Sequence, residues 1–111
     1  MRSDPELILE SHLENYKIDG WVTEHKFMEK RKFRFDFAWP SLMIAVEVEG
    51  GIYRGGRHTS FAGFTNDCSK YNEAAKIGWK VFRFTSKQVS DGEAIEFLRG
   101  VFNEYAISRR V

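Results

Sequence analysis

The chain has one cysteine and two prolines among its 111 residues. None of its apolar runs approaches the ~20 residues needed to cross a bilayer. Cys68 has no partner for an intramolecular disulfide and no second cysteine for a structural zinc site, so it reads as a small side chain on a helix. The N-terminal stretch MRSDPELILESH lacks the uninterrupted apolar core of a signal peptide, and the expected location is the cytoplasm. Repeats and low-complexity tracts are missing as well. Residues 1–111 are therefore expected to form one domain, long enough to close a single core. An excess of one charge sign is also lacking, since 17 basic and 16 acidic residues leave a net charge of +1. What stands out is clustering: Lys26, Lys30, Arg31, Lys32 and Arg34 crowd one stretch, Arg54 and Arg57 another, and Lys80, Arg83 and Lys87 a third. Such clusters suit phosphate contact, and they equally suit a solvated surface.

Residues 5–17 follow Ser3 and Asp4 with proline in a first-turn position, and Leu9, Leu13 and Tyr16 recur at helical spacing. A helix is expected there, ended by Ile18-Asp19-Gly20. Residues 21–28 and 32–39 alternate as strands, with Phe33, Phe35 and Phe37 expected on one face and Arg34 and Asp36 on the other. After a turn at Pro40 and Ser41, residues 42–50 form the most strand-like segment. Ile44, Val46 and Val48 share one face, and Ala45, Glu47 and Glu49 share the opposite one. Residues 51–64 hold four glycines and no sustained period, which predicts a long loop, and loops of that length are often functional. A helix from about Asn66 to a Gly78 cap, a strand at 79–85, a Ser90/Glu93 capping box and a last amphipathic helix through Ile95, Leu98, Phe102 and Tyr105 complete the chain. The order α, β, β, β, α, β, α implies an α/β fold with a mixed sheet flanked by helices.

Two carboxylates in a strand that reads as buried need a physical reason. Pairing about Pro40 and Ser41 sets residue 36 roughly opposite residues 45 to 47, so Asp36 and Glu47 converge. Unpaired, they would repel. A divalent cation would relieve the repulsion and could activate water against a phosphodiester. Salt bridges to Arg34, Arg83 or lysines would relieve it equally well.

The first-helix glutamate, RFDFAWP, AVEVEGG, the loop dipeptide RH, DCSKYNEAAKIGW and VFRFT, in that order, resemble the PD-(D/E)XK nuclease superfamily over residues 6–98. Within it, the chain is most similar to the branch of very short patch repair endonucleases and related small bacterial and phage nucleases. The resemblance implies a restriction-endonuclease-like αβββαβ core followed by a C-terminal helix, in the cytoplasm of a bacterial or phage-infected cell. It also implies hydrolysis of DNA phosphodiester bonds with Mg²⁺ or Mn²⁺.

Residue by residue, the resemblance makes Asp36 and Glu47 metal ligands, joined by the carbonyl of Val48. Glu49 stands where the superfamily's lysine is usual, so it and Lys70 are the groups expected to position or activate water. Glu6, in preference to Glu10 one turn on, matches an acid that some relatives contribute from the first helix; the alternative is a helix-start glutamate favoured by the macrodipole. His58 matches a histidine that follows the acidic strand and suits proton transfer or charge stabilisation. Asp67 and Lys70 lie three apart on one helix face, either at the site or as a surface ion pair.

Lys30, Arg31, Lys32, Arg34, Arg54 and Arg57 are the expected phosphate contacts, with Asp67 near the DNA. His12 and His25 lack such context, although His25 beside a basic cluster could touch DNA. Tyr71, Trp79, Phe82 and Phe84 are expected in the core. Phe61 and Phe64 are expected to anchor the long loop, the alternative being a wedge into distorted duplex. The expected substrate is duplex or branched DNA, and a homodimer would suit paired nicks on a four-way junction, with a role in repair, recombination or phage DNA processing. Two other readings stay open: an inactive nucleic-acid-binding module on a nuclease fold, and a protein-interaction domain without nucleic-acid affinity.

Overall fold

A computed structural model describes residues 2–49 and 61–109. Helix α1 (Asp4–Asn15) begins where the Ser3 hydroxyl accepts from the Glu6 amide, with Pro5 in the first turn. It closes at Lys17, whose φ of 57° lets the Ile18 amide reach back to the Leu13 carbonyl, a stop three residues ahead of Gly20. Strands β1 (Val22–Lys26), β2 (Arg34–Trp39), β3 (Ile44–Glu49) and β4 (Lys80–Thr85) form one sheet in that order. The β1–β2 and β2–β3 pairs are antiparallel, while β3 and β4 run parallel. Parallel neighbours need a crossover, and helix α2 (Phe61–Lys76) lies within it. A turn of 3₁₀ helix at Pro40–Leu42 joins β2 to β3, so β3 starts two residues later than the hydrophobic pattern suggests.

Helix α2 is already formed at Phe61, ahead of the start expected near Asn66, and Phe61 and Phe64 stand 87% and 63% exposed on it. They do not anchor a loop to the core. Exposed apolar residues at a helix start give no amphipathic signal, which is why the period is silent there. The far end matches expectation: Gly78 has φ 102°, the Gly78 amide donates to Ala75, and the Trp79 amide donates to Ala74. The capping box expected at Ser90 and Glu93 is formed instead by Thr85 and Gln88, at the head of a short helix α3 (Ser86–Ser90). Ser90 donates to the Lys87 carbonyl within α3, and Asp91 accepts from the Glu93 amide at the start of α4 (Glu93–Arg109).

Among the described residues, two buried clusters lie on the sheet. Leu9 and Leu13 of α1, Phe37 and Trp39 of β2, Ile44 and Val46 of β3, and Ile95 and Leu98 of α4 fill the larger. Phe35, Ala38, Ala45, Trp79 and Ala74 of α2 form the other. Phe35 and Phe37 thus belong to different clusters, not to one face as strict alternation implies; the regularity of β2 fails around Asp36, where its pairing with β3 changes. The three alanines, all fully buried, keep α2 close to the sheet. Among the described residues no helix is long and apolar enough to cross a membrane.

Candidate active site

The β2–β3 ladder pairs Trp39 with Ile44, Ala38 with Ala45, and Phe37 with Val46. One more step would set Asp36 opposite Glu47. There the side chains take over the backbone's bonding: the Asp36 amide donates to Glu47 Oε2 at 2.7 Å, and the Val48 amide donates to Asp36 Oδ2 at 2.8 Å. Each carboxylate is thereby fixed by an amide of the opposite strand.

Glu47 is only 6% exposed, so its charge needs compensation. Helix α2 supplies it. Lys70 Nζ makes a salt bridge with Glu47 Oε1, and the Tyr71 hydroxyl lies 3.1 Å from the same oxygen. The Tyr71 hydroxyl is also 3.3 Å from Glu49 Oε1, which accepts from Arg83 Nε of β4 at 2.7 Å. The Arg83 guanidinium lies 4.3 Å from the centre of the Tyr71 ring. Lys70, Glu47, Tyr71, Glu49 and Arg83 therefore form one connected chain of contacts.

A second acidic group adjoins it. One oxygen from each of Glu6, Glu24 and Asp36 lies within 4.8 Å of the others. Glu6 reaches the group from α1 and lies 4.0 Å from Arg2 Nε, and Glu10 pairs with Arg2 through Nη1. No sequence motif singles out Glu24. The β1–β2 register, Thr23 with Phe37 and His25 with Phe35, brackets Glu24 and Asp36 as cross-strand neighbours, so a register argument extended to β1 would find it. Its backbone is unusual for a strand, with φ 51°, a conformation that costs a non-glycine residue roughly 1–3 kcal/mol.

These groups line a cleft of about 450 Å³. Its walls include Glu6, Glu24, Lys32, Arg34, Asp36, Glu47, Val48, Glu49, Asp67, Lys70 and Tyr71. Lys30 and Arg31 sit beyond its rim in the β1–β2 connection, the Arg31 guanidinium 4.2 Å from the centre of the Phe33 ring. Arg54, Arg57 and His58 lie outside the described residues. Tyr71, expected in the core, faces the carboxylates instead, whereas Trp79 and Phe84 are buried as expected. His25 packs near Trp79, with ring centres 5.5 Å apart.

Burial, and then the charge of Glu47, push Asp36 up to about 8, against the opposing pull of the Val48 amide and Lys70. Partial burial raises Glu6 above its ordinary value; the Ser3 hydroxyl opposes the shift and Glu24 adds to it. Burial, with Glu47 and Glu49 next, raises the Tyr71 phenol and keeps it protonated. The cleft thus holds more carboxylate than its own cations neutralise. All-oxygen donors of this kind suit a small hard divalent cation.

No protein-family model and no curated protein matches the sequence. Among solved structures, the chain is similar to the Homing Endonuclease I-Bth0305I Catalytic Domain, with a TM-score of 0.68 and 19% sequence identity over 88% of this chain and 92% of that one. The likeness is one of fold.

Proposed function

We propose that this chain is a divalent-metal-dependent DNA endonuclease of the PD-(D/E)XK type, in the branch that resembles very short patch repair endonucleases, with residues 1–111 as a single nuclease domain. The observation that carries the reading is the reciprocal anchoring of Asp36 and Glu47 at the point where β2 and β3 stop pairing, inside an acidic cleft that also holds Lys70. An ordinary salt-bridge face would neutralise its acids. Here burial and then the neighbouring Glu47 charge raise the affinity of Asp36 for a proton, and the negative potential of Glu47 and Glu6 beside it would favour a cation as well.

Asp36, Glu47 and the Val48 carbonyl, with Glu6 and Glu24 from α1 and β1, are the groups that would hold the ion. Mg²⁺ or Mn²⁺ bound there would supply a water of lowered pKa and neutralise charge at the scissile phosphodiester. The protein's own groups do the rest. Lys70, held by Glu47, orients a phosphate oxygen or the attacking water, and Glu49 accepts the water's proton in place of the missing lysine. Lys30, Arg31, Lys32 and Arg34, with Arg54 and Arg57, hold the DNA backbone, and Asp67 borders that path. His58 assists proton transfer to the leaving oxygen. A homodimer would present two such sites to a branched substrate in repair, recombination or phage DNA processing.

One observation favours a second reading. Glu49 replaces the usual lysine, and Lys70 is already engaged by Glu47, an arrangement that suits an inactive nucleic-acid-binding module. Cleavage of end-labelled single-stranded, duplex, mismatched, flapped and four-way-junction DNA with Mg²⁺, Mn²⁺ or EDTA separates the two. Metal-dependent cutting that Asp36→Ala and Glu47→Ala abolish supports the nuclease. Binding that survives EDTA, with no cutting in either metal, supports the binding module.

A further inference from the structure

The Tyr71 hydroxyl has one proton and faces two carboxylate oxygens, Glu47 Oε1 at 3.1 Å and Glu49 Oε1 at 3.3 Å. A single O–H donates fully to only one of them at a time. Each oxygen has a further donor of its own, Lys70 Nζ for Glu47 and Arg83 Nε for Glu49, so the phenol is the common member of two otherwise separate ion pairs. The ring is held as well as the hydroxyl. Arg83 lies 4.3 Å and Lys70 Nζ 5.4 Å from its centre, so each cation contacts both a carboxylate and the ring. Glu47 and Glu49 sit two apart on β3, project to the same side and would repel without a shared donor.

We propose that Tyr71 is a positioning residue that couples Glu47 to Glu49, turning Oε1 of both carboxylates toward α2. The bonds of Glu49 to described residues fall on Oε1. Among the described residues its second oxygen has no hydrogen-bond partner, and in this proposal that oxygen is the proton acceptor in the cleft. The effect of Tyr71 passes through the orientation of the two glutamates, and this role rests on the nuclease reading above.

Tyr71→Phe is the direct test, because it keeps the ring and its contacts with Arg83 and Lys70 while removing the shared proton. Two measurements on the full chain separate this inference from the nuclease reading. The first is the ¹³C resonance of the side-chain carboxylates in metal-free protein, assigned with Glu47→Gln and Glu49→Gln. Tyr71→Phe is expected to move both resonances with no loss of thermal stability beyond a few degrees; movement of only one, or of neither, overturns the coupling. The second is single-turnover cleavage with Mn²⁺. The rate constant is expected to fall about 10- to 100-fold with DNA affinity unchanged, the size of one lost hydrogen bond to a charged group. Wild-type cleavage by Tyr71→Phe overturns the positioning role. Absence of cleavage by the wild-type protein sinks the nuclease reading and with it the catalytic role, while the resonances still decide the coupling.

Discussion

Asp36 and Glu47 hold each other across a strand junction: the Asp36 amide binds the Glu47 carboxylate, and the amide next to Glu47, that of Val48, binds the Asp36 carboxylate. The arrangement fixes two carboxyl groups side by side in a partly buried cleft. It carries a cost in stability and, on the proposed reading, provides the place for a cation.

Removal of either carboxylate should eliminate cleavage. For Asp36→Ala and Glu47→Ala the expected loss is roughly 10³-fold or more, since charge stabilisation at the phosphodiester is the largest contribution such a site makes. EDTA should reproduce the loss in wild-type protein, and excess Mn²⁺ should restore it there and in neither variant. Rates from labelled DNA measure all of these.

The acidic cleft should make the metal-free protein less stable as pH rises. Asp36 is raised from 3.8 to about 8, so between those values the folded state binds more protons than the unfolded one. Stability then falls with increasing pH through that window and levels off above it. Asp36→Asn should flatten the slope and be the more stable protein at pH 8. Thermal melts between pH 4 and 9 test the sign. A curve that rises from pH 5 to 8 in wild type and not in Asp36→Asn contradicts it.

Lys70 should matter to the fold as well as to the reaction. Its side chain and that of Glu47 are 14% and 7% exposed, so Lys70→Met would leave a buried carboxylate without its cation. The expected destabilisation is about 3–5 kcal/mol. Adding Glu47→Gln should recover most of it, because the uncompensated charge is then gone. Denaturant unfolding of the four members of this cycle gives the coupling directly.

Glu24 should show opposed effects on stability and on metal binding. Glu24→Gln removes one of three clustered carboxylates, so the metal-free melting temperature should rise by a few degrees, the scale of ~1 kcal/mol in a domain of this size. Mn²⁺ affinity should fall at the same time. Unchanged Mn²⁺ binding would mean that Glu24 stands outside the cation site.

The basic residues of the β1–β2 connection should differ by position. Lys32 and Arg34 line the cleft, while Lys30 and Arg31 lie beyond it. For every phosphate left without its cation, the slope of log affinity against log salt becomes shallower by about 0.9. Lys32→Ala and Arg34→Ala should each show a drop of that size, with Lys30→Ala and Arg31→Ala smaller. Binding isotherms across a salt series read it.

Much of this was legible in the sequence because the signals are local. Alternation in residues 42–50 placed Glu47 and Glu49 on one face, and a short turn at Pro40 and Ser41 put Asp36 within reach of Glu47. Gly78 announced the end of α2. Other features rest on contacts that no local period records. Glu24 enters the cleft through the β1–β2 register and a backbone turn at φ 51°, and neither leaves a mark on hydropathy. Tyr71 looked like core because aromatic residues usually are, yet α2 docks so that its hydroxyl meets two carboxylates. Ser90 and Glu93 had the spacing of a capping box, but Thr85 and Gln88 had the same chemistry three residues apart and a strand end to cap from. The separation of Phe35 from Phe37 follows from the altered pairing at Asp36, a tertiary effect on what reads as a regular strand.

The alanines at the seam between α2 and the sheet carry a genetic consequence. Ala38, Ala45 and Ala74 sit in the core and away from the proposed substrate, but their small volume sets how far Lys70 and Tyr71 reach toward β3. Bulkier side chains there would lever the helix outward, at roughly 1–3 kcal/mol of strain, with every polar group still encoded. Variants without activity should therefore map to this seam as well as to the acids, and a survey of homologues that counts only matching carboxylates would score such silent chains as intact.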